Sequence, residues 1–156
     1  MIETDIPGFG RLRLEHLILD YNGTIAVDGQ PVHGVKKRLI ALARHVEIHV
    51  LTADTFGGVE KKLSDIPCKI HVLPVEAQDK SKMEYVDRLG ADRAVCIGNG
   101  RNDVMMLKKT ALGIAVVQDE GAAAPAVLSA DVVVTDILSG LDLITNPMRL
   151  TATLRS

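Results

Sequence analysis

Short apolar runs alternate along this chain with longer stretches in which apolar residues return every third or fourth position. Leu17-Ile18-Leu19 is apolar at consecutive positions, the pattern of a strand buried on both faces. Val46 to Leu51, Lys69 to Leu73, Arg93 to Ile97, Leu112 to Val117 and Asp131 to Val134 read as further strands. Between them, Val35, Leu39, Leu42 and Ala43 predict a helix over 34–44. A second helix is expected over roughly 55–64, capped by Asp54 or Thr55. Met83, Val86 and Leu89 place a third over Lys80 to Leu89. Val104 to Lys109 and Ala122 to Ala130 read as two more, and a final helix begins within Leu138 to Leu143, broken or restarted at Asn146-Pro147. Strands alternating with helices predict a doubly wound parallel α/β sheet.

Three segments depart from this alternation. Ile6-Pro7-Gly8-Phe9-Gly10 is a turn signal, and beyond it Leu12 and Leu14 alternate with Arg11, Arg13 and Glu15. A hairpin leading into the Leu17 strand is expected there. Asp28-Gly29 is a preferred two-residue hairpin turn, with Pro31 suited to an edge, so a small flap is expected from Ile25 to Val32. Met148 to Leu154 is apolar on one side and would pack on the sheet or on another subunit.

With 156 residues the chain fits one domain, 1–156, with a proper core. A net charge of −2 gives no general attraction to nucleic acid or to an anionic membrane. Aromatics at 3%, with no Trp, disfavour stacking platforms for bases. Lys36, Lys37 and Arg38 read as a solvated helix face. Cys68 and Cys96 form no metal-ligand pattern and suit reduced thiols in a cytoplasmic protein. No signal-peptide pattern is present, and no apolar run approaches the roughly 20 residues that span a bilayer.

The candidate chemistry lies where strands end. Asp20 closes the Leu17 strand, and open α/β sheets place ligands at such carboxyl ends. Gly23 permits a tight turn whose amide can approach a small anion. Thr52 closes the next strand; alone, a Thr there is more often a cap or turn residue. Lys80 and Lys82 stand at a helix start, which the helix dipole disfavours for a cation unless an anion lies in reach. The fourth strand runs directly into Gly98-Asn99-Gly100-Arg101-Asn102-Asp103.

In this order these residues resemble the motifs of the haloacid dehalogenase-like hydrolases, a superfamily that includes phosphatases and the phosphorylation domain of P-type ATPases. Asp20, Gly23 and Thr24 match the first motif, Asp-x-Asp-Gly-Thr, with Asn22 in place of its second aspartate. Thr52 matches the second motif. Lys82 is preferred for the third, with Lys80 the alternative. Residues 98–103 match Gly-Asp-Gly-x-Asn-Asp, the fourth motif, with Asn99 for its first aspartate and Asp103 kept. The segments Ile25 to Leu51 and Ala53 to Ser81 leave no room for the cap domain that many members insert. The likeness is to a soluble, capless, P-type ATPase-like phosphorylation domain with a Rossmann-like sheet.

What the resemblance implies is a catalytic set of Asp20, Thr52 and Lys82, with Asp20 forming an aspartyl-phosphate. Asn22, Gly23, Thr24, Thr52 and Lys82 would hold the phosphoryl group. Asp20, the Asn22 carbonyl, the Asn99 side-chain oxygen and Asp103 would hold Mg²⁺. The family's second aspartate protonates the leaving group and then activates water. An amide has no titratable proton, so Asn22 predicts slow turnover. The favoured reading is a slow Mg²⁺-dependent phosphohydrolase acting on a phosphorylated small molecule or macromolecule. The second reading is a phosphoryl-accepting or phospho-ligand-binding regulator. A dehalogenase comes third, since that chemistry needs a closed apolar pocket. The capless site and apolar tail are compatible with a homo-oligomer.

Overall fold

The computed structural model describes residues 1–54 and 57–156. The first hairpin pairs β1 (Ile2–Ile6) with β2 (Gly10–Leu14), antiparallel. The chain then enters β3 (His16–Asp20), whose even and odd side chains are buried on opposite sides of the sheet. Next comes the flap, β4 (Ala26–Val27) and β5 (Gln30–Pro31). Both residues of its Asp28-Gly29 turn have positive φ, 49° and 72°, as a tight hairpin connection requires.

The remaining elements alternate. They are α1 (Val35–Leu42), β6 (Glu47–Thr52), α2 (Gly58–Lys62), β7 (Lys69–Val72), α3 (Gln78–Leu89) and β8 (Ala94–Gly98), followed by α4 (Val104–Lys109) and β9 (Leu112–Val116). α5 (Ala124–Ser129), β10 (Val132–Val134), α6 (Ile137–Thr145) and α7 (Pro147–Leu154) complete the chain. The expected cap Thr55 lies outside the described residues. Asp54 precedes α2, and its carboxylate accepts the Val59 amide of the first turn at 2.9 Å.

Six strands form one parallel sheet in the order β10-β9-β8-β3-β6-β7. This is the doubly wound, Rossmann-like arrangement that the alternation predicts. The chain reverses direction across the sheet between β3 and β8, so a crevice opens beyond the carboxyl ends of that central pair. Leu17, Leu19, Ile48, Val50, Val95 and Ile97 face one side, beneath α1 and α6. Ile18, Leu51 and Cys96 face the other, beneath α3 and α4. Burial pushes the Cys96 thiol up to about 12, so it is a core residue rather than a reactive one.

Two expectations change. Arg38 is not part of a solvated face: its guanidinium grips Asp142 of α6 with two bonds, at 2.7 and 2.9 Å. The apolar tail forms α7 and packs on β1, burying Leu150. Among the described residues, no helix is long and apolar enough to cross a membrane.

Candidate active site

The central strands deliver Asp20 and Asn99 to neighbouring carboxyl ends, because β3 and β8 pair in register from His16↔Ala94 to Leu19↔Ile97. On the other side of β3, Asp20 pairs with Leu51, so Thr52 lies one residue beyond it on β6. The Thr52 hydroxyl is buried and accepts the Asp54 amide at 3.1 Å, leaving its proton to donate. α3 crosses this end of the sheet and lowers Lys82 into it.

Lys82 Nζ donates to Asp20 Oδ1 at 2.5 Å and to Asp103 Oδ1 at 2.6 Å. All three side chains are nearly closed off from solvent, with relative exposures of 8% for Asp20, 1% for Lys82 and 0% for Asp103. Lys80, two residues earlier, is exposed, so the helix presents Lys82 to the cluster. Burial pulls the Lys82 ammonium down, but the charges of Asp20 and Asp103 outweigh it and hold the group above its ordinary value. Asp20 is pushed up to about 7, first by burial and then by the Asp103 charge, against the pull of Lys82 and Thr24. Two buried carboxylates thus share one ammonium, and the cluster is short of positive charge.

The loop after β8 fixes Asp103. Its Oδ2 accepts the Asn99 amide at 3.0 Å and the Gly100 amide at 2.8 Å. A Cβ on Gly98 would stand 2.5 Å from this carboxylate, so glycine is required where the strand meets the loop. The Asn99 side chain uses both ends. Its Oδ1 accepts the Thr24 hydroxyl at 3.2 Å, and its Nδ2 donates to the Gly121 carbonyl at 3.0 Å. The Thr24 hydroxyl also lies 3.3 Å from Asp20 Oδ2 and so links the first and fourth motifs.

The turn after Asp20 differs from expectation in one respect. The Gly23 and Thr24 amides, expected to face an anion, are spent within the turn, on the carbonyls of Ala26 (2.7 Å) and Tyr21 (3.3 Å). Gly23 matters for its missing side chain: φ is +78°, and a Cβ would stand 2.2 Å from Asn99 Nδ2. Asn22 is exposed and borders a cavity of about 370 Å³ shared with Gly29 of the flap, Asp54 and Lys62.

One positioning residue has no sequence signal. Gln118, after β9, donates to the carbonyls of Thr24 (2.6 Å) and Gly23 (3.2 Å) and accepts the Ile137 amide at 3.1 Å. It ties the motif turn to α6 across a long stretch of chain, which local pattern cannot reveal.

The donor set suits a magnesium ion. Asp20, Asp103 and the Asn99 Oδ1 offer hard oxygen atoms, and the shortage of positive charge around Asp20 is what a divalent cation would relieve. Only Oδ1 of Asp103, now on Lys82, is available, because Oδ2 is held by the two amides. Asn99 contributes no charge, so a cation held here would meet two acids rather than three.

No protein-family model matches the chain. It is similar to two curated proteins of Methanocaldococcus jannaschii. It is 51% identical over 63 residues to the uncharacterized protein MJ0073, covering 40% of this chain and 68% of that protein. It is 54% identical over 39 residues to the uncharacterized protein MJ0072, covering 25% of this chain and 89% of that protein. Solved structures that share its fold include the following three. The cobalt-bound deoxy-D-mannose-octulosonate 8-phosphate phosphatase YrbI from Haemophilus influenzae has a TM-score of 0.73 at 14% identity, over 92% of this chain and 94% of that one. The 3-deoxy-D-manno-octulosonate 8-phosphate phosphatase from Moraxella catarrhalis, in complex with magnesium ion, phosphate ion and KDO, has a TM-score of 0.68 at 16% identity, over 91% and 94%. A protein from Streptomyces avermitilis assigned to the HAD family of hydrolases has a TM-score of 0.63 at 18% identity, over 78% and 76%.

Proposed function

Because the chain belongs to the family of the uncharacterized proteins MJ0073 and MJ0072 and has the fold of the haloacid dehalogenase-like hydrolases, we propose that it is a magnesium-dependent phosphohydrolase working through an aspartyl-phosphate at Asp20. The observation that carries this reading is the buried Asp20–Lys82–Asp103 cluster at the crevice between β3 and β8. Two buried carboxylates around one ammonium leave a shortfall of positive charge, which a divalent cation beside a nucleophile would fill.

Asp20 supplies a carboxylate oxygen that attacks phosphorus while the bond to the leaving group breaks. Lys82 favours the ionised form of that carboxylate against the effect of burial and offers a donor to a phosphoryl oxygen beside it. Thr52, one residue past the register partner of Asp20, donates its hydroxyl proton to a second phosphoryl oxygen. Magnesium, held by Asp20, Asp103, the Asn99 oxygen and the Asn22 carbonyl, would supply the positive charge that offsets repulsion between carboxylate and phosphoryl group. The leaving group lies in the cavity beside Asn22 and takes its proton from solvent, since the amide has none to give. Water then attacks the aspartyl-phosphate, releasing phosphate and restoring Asp20. The Asn22 amide has no titratable proton with which to activate that water, so the second step is expected to be slow.

The exposed, neutral Asn22 also favours a second reading, in which the aspartyl-phosphate accumulates and the protein acts as a phosphoryl-accepting regulator. Phosphate release from p-nitrophenyl phosphate, with and without Mg²⁺, tests the first reading. Release that needs both Asp20 and Mg²⁺ supports it. Release equal in wild type and Asp20→Asn would overturn it.

A further inference from the structure

A second polar cluster lies at the opposite end of the sheet. His16 begins β3, Glu47 begins β6, and His49 follows Glu47 on the same face. Three atoms converge there. His16 Nδ1 is 3.2 Å from His49 Nε2, His49 Nε2 is 3.0 Å from Glu47 Oε2, and His16 Nδ1 is 3.4 Å from Glu47 Oε2. Tetrahedral zinc with bonds of 2.0–2.1 Å sets its ligand atoms about 3.3–3.4 Å apart. The trio therefore outlines one face of such a tetrahedron. We propose that His16, Glu47 and His49 form a binding site for a divalent transition-metal ion of the zinc class, separate from the Asp20 cluster.

Without a metal, Glu47 Oε2 can accept from both rings, at 3.0 Å from His49 Nε2 and 3.4 Å from His16 Nδ1. A cation that displaced those two protons would find three ligand atoms already converged.

The surroundings are built as a metal site requires. The other ring nitrogen of His49, Nδ1, is 2.8 Å from the Tyr85 hydroxyl of α3, a partner that fixes the ring's orientation. The other Glu47 oxygen, Oε1, is held by Lys69, which leaves Oε2 to the trio. His49 is 1% exposed, whereas His16 and Glu47 side chains are 16% and 41% exposed, so a fourth ligand can enter from solvent. Two imidazoles and one carboxylate suit zinc, nickel or copper better than magnesium.

His16 and Asp20 share one face of β3, four residues apart, or about 13 Å at the usual rise. α3 reaches both clusters through its side chains, Lys82 at one and Tyr85 at the other. The proposed ion would tie β3 to β6 and, through Tyr85, to α3.

The test uses the whole chain, metal-free, with Zn²⁺ or Co²⁺ added. With Mg²⁺ in excess to fill the Asp20 cluster, wild type should bind one equivalent, and Co²⁺ should show the intense visible bands of four-coordinate cobalt. At a hundredfold excess over Kd, Zn²⁺ should raise Tm by roughly 5–10 °C. His16→Asn and Glu47→Gln, both at partly exposed positions, should each lose the bands and the Tm shift. Asp20→Asn should keep them, which separates this site from the phosphoryl site. The proposal fails if wild type binds no Zn²⁺, if His16→Asn and Glu47→Gln bind it unchanged, or if the signal disappears in Asp20→Asn.

Discussion

Asn22 and Asn99 both stand where related motifs carry acids, but they sit in different surroundings. Asn99 is buried, and its amide matches two partners: the oxygen takes the Thr24 hydroxyl and the nitrogen serves the Gly121 carbonyl. A carboxylate there would face that carbonyl with no proton to offer, so the amide is what the loop geometry accommodates. Asn22 is exposed and borders the cavity proposed for the leaving group. Its replacement by Asp therefore costs little structurally and supplies the missing proton carrier. Asn22→Asp is expected to raise steady-state phosphate release by about 100-fold or more, with Tm nearly unchanged. An unchanged rate in the folded variant would remove Asn22 from the explanation of slow turnover.

At the scale of elements, α3 acts as a strut carrying a buried cation to the ends of two strands. Lys82→Met would leave two buried carboxylates facing each other without a counter-charge. The expected loss is about 3–5 kcal/mol at pH 8, read by urea unfolding, and much smaller at pH 5, where Asp20 takes up a proton. A loss that does not change with pH would mean that packing, not charge, dominates at Lys82. Most elements were legible in the chain because their signals are local. Leu17 to Leu19, the Asp28-Gly29 turn and the 3.6-residue spacing of Val35, Leu39 and Leu42 each declare themselves within a few residues. Asp20, Lys82, Asn99 and Asp103 were legible as an ordered set, and the structure brings them together. Lys82 could be told from Lys80 only once the helix was docked on the sheet. The fate of the Gly23 amide, the bracing by Gln118 and the His16–Glu47–His49 trio depend on strand register and distant loops, which no local pattern encodes.

Over the whole molecule, the two polar clusters at opposite ends of the sheet respond to acid in opposite senses. Asp20, raised to about 7, binds its proton more tightly folded than unfolded, so its contribution to stability falls as pH rises from about 4 to 7. His49, lowered to about 4 chiefly by burial, resists protonation in the fold. Its contribution is present above about 6.5 and is lost as pH falls through about 4. In metal-free protein the two offset each other across this window. Asp20→Asn should therefore make stability climb more steeply with pH between 4 and 6.5 than in wild type, as urea midpoints would record. A shallower climb would contradict the assigned shifts. As the proposed nucleophile, Asp20 would carry a covalent intermediate that outlives its formation. The most direct measurement is the intact mass of the chain after incubation with Mg²⁺ and acetyl phosphate, with Asp20→Asn in parallel. The account predicts a single phosphoryl adduct on wild type, absent from Asp20→Asn and decaying faster in Asn22→Asp. An adduct of equal size on Asp20→Asn, or phosphate release with no dependence on Asp20, would contradict it.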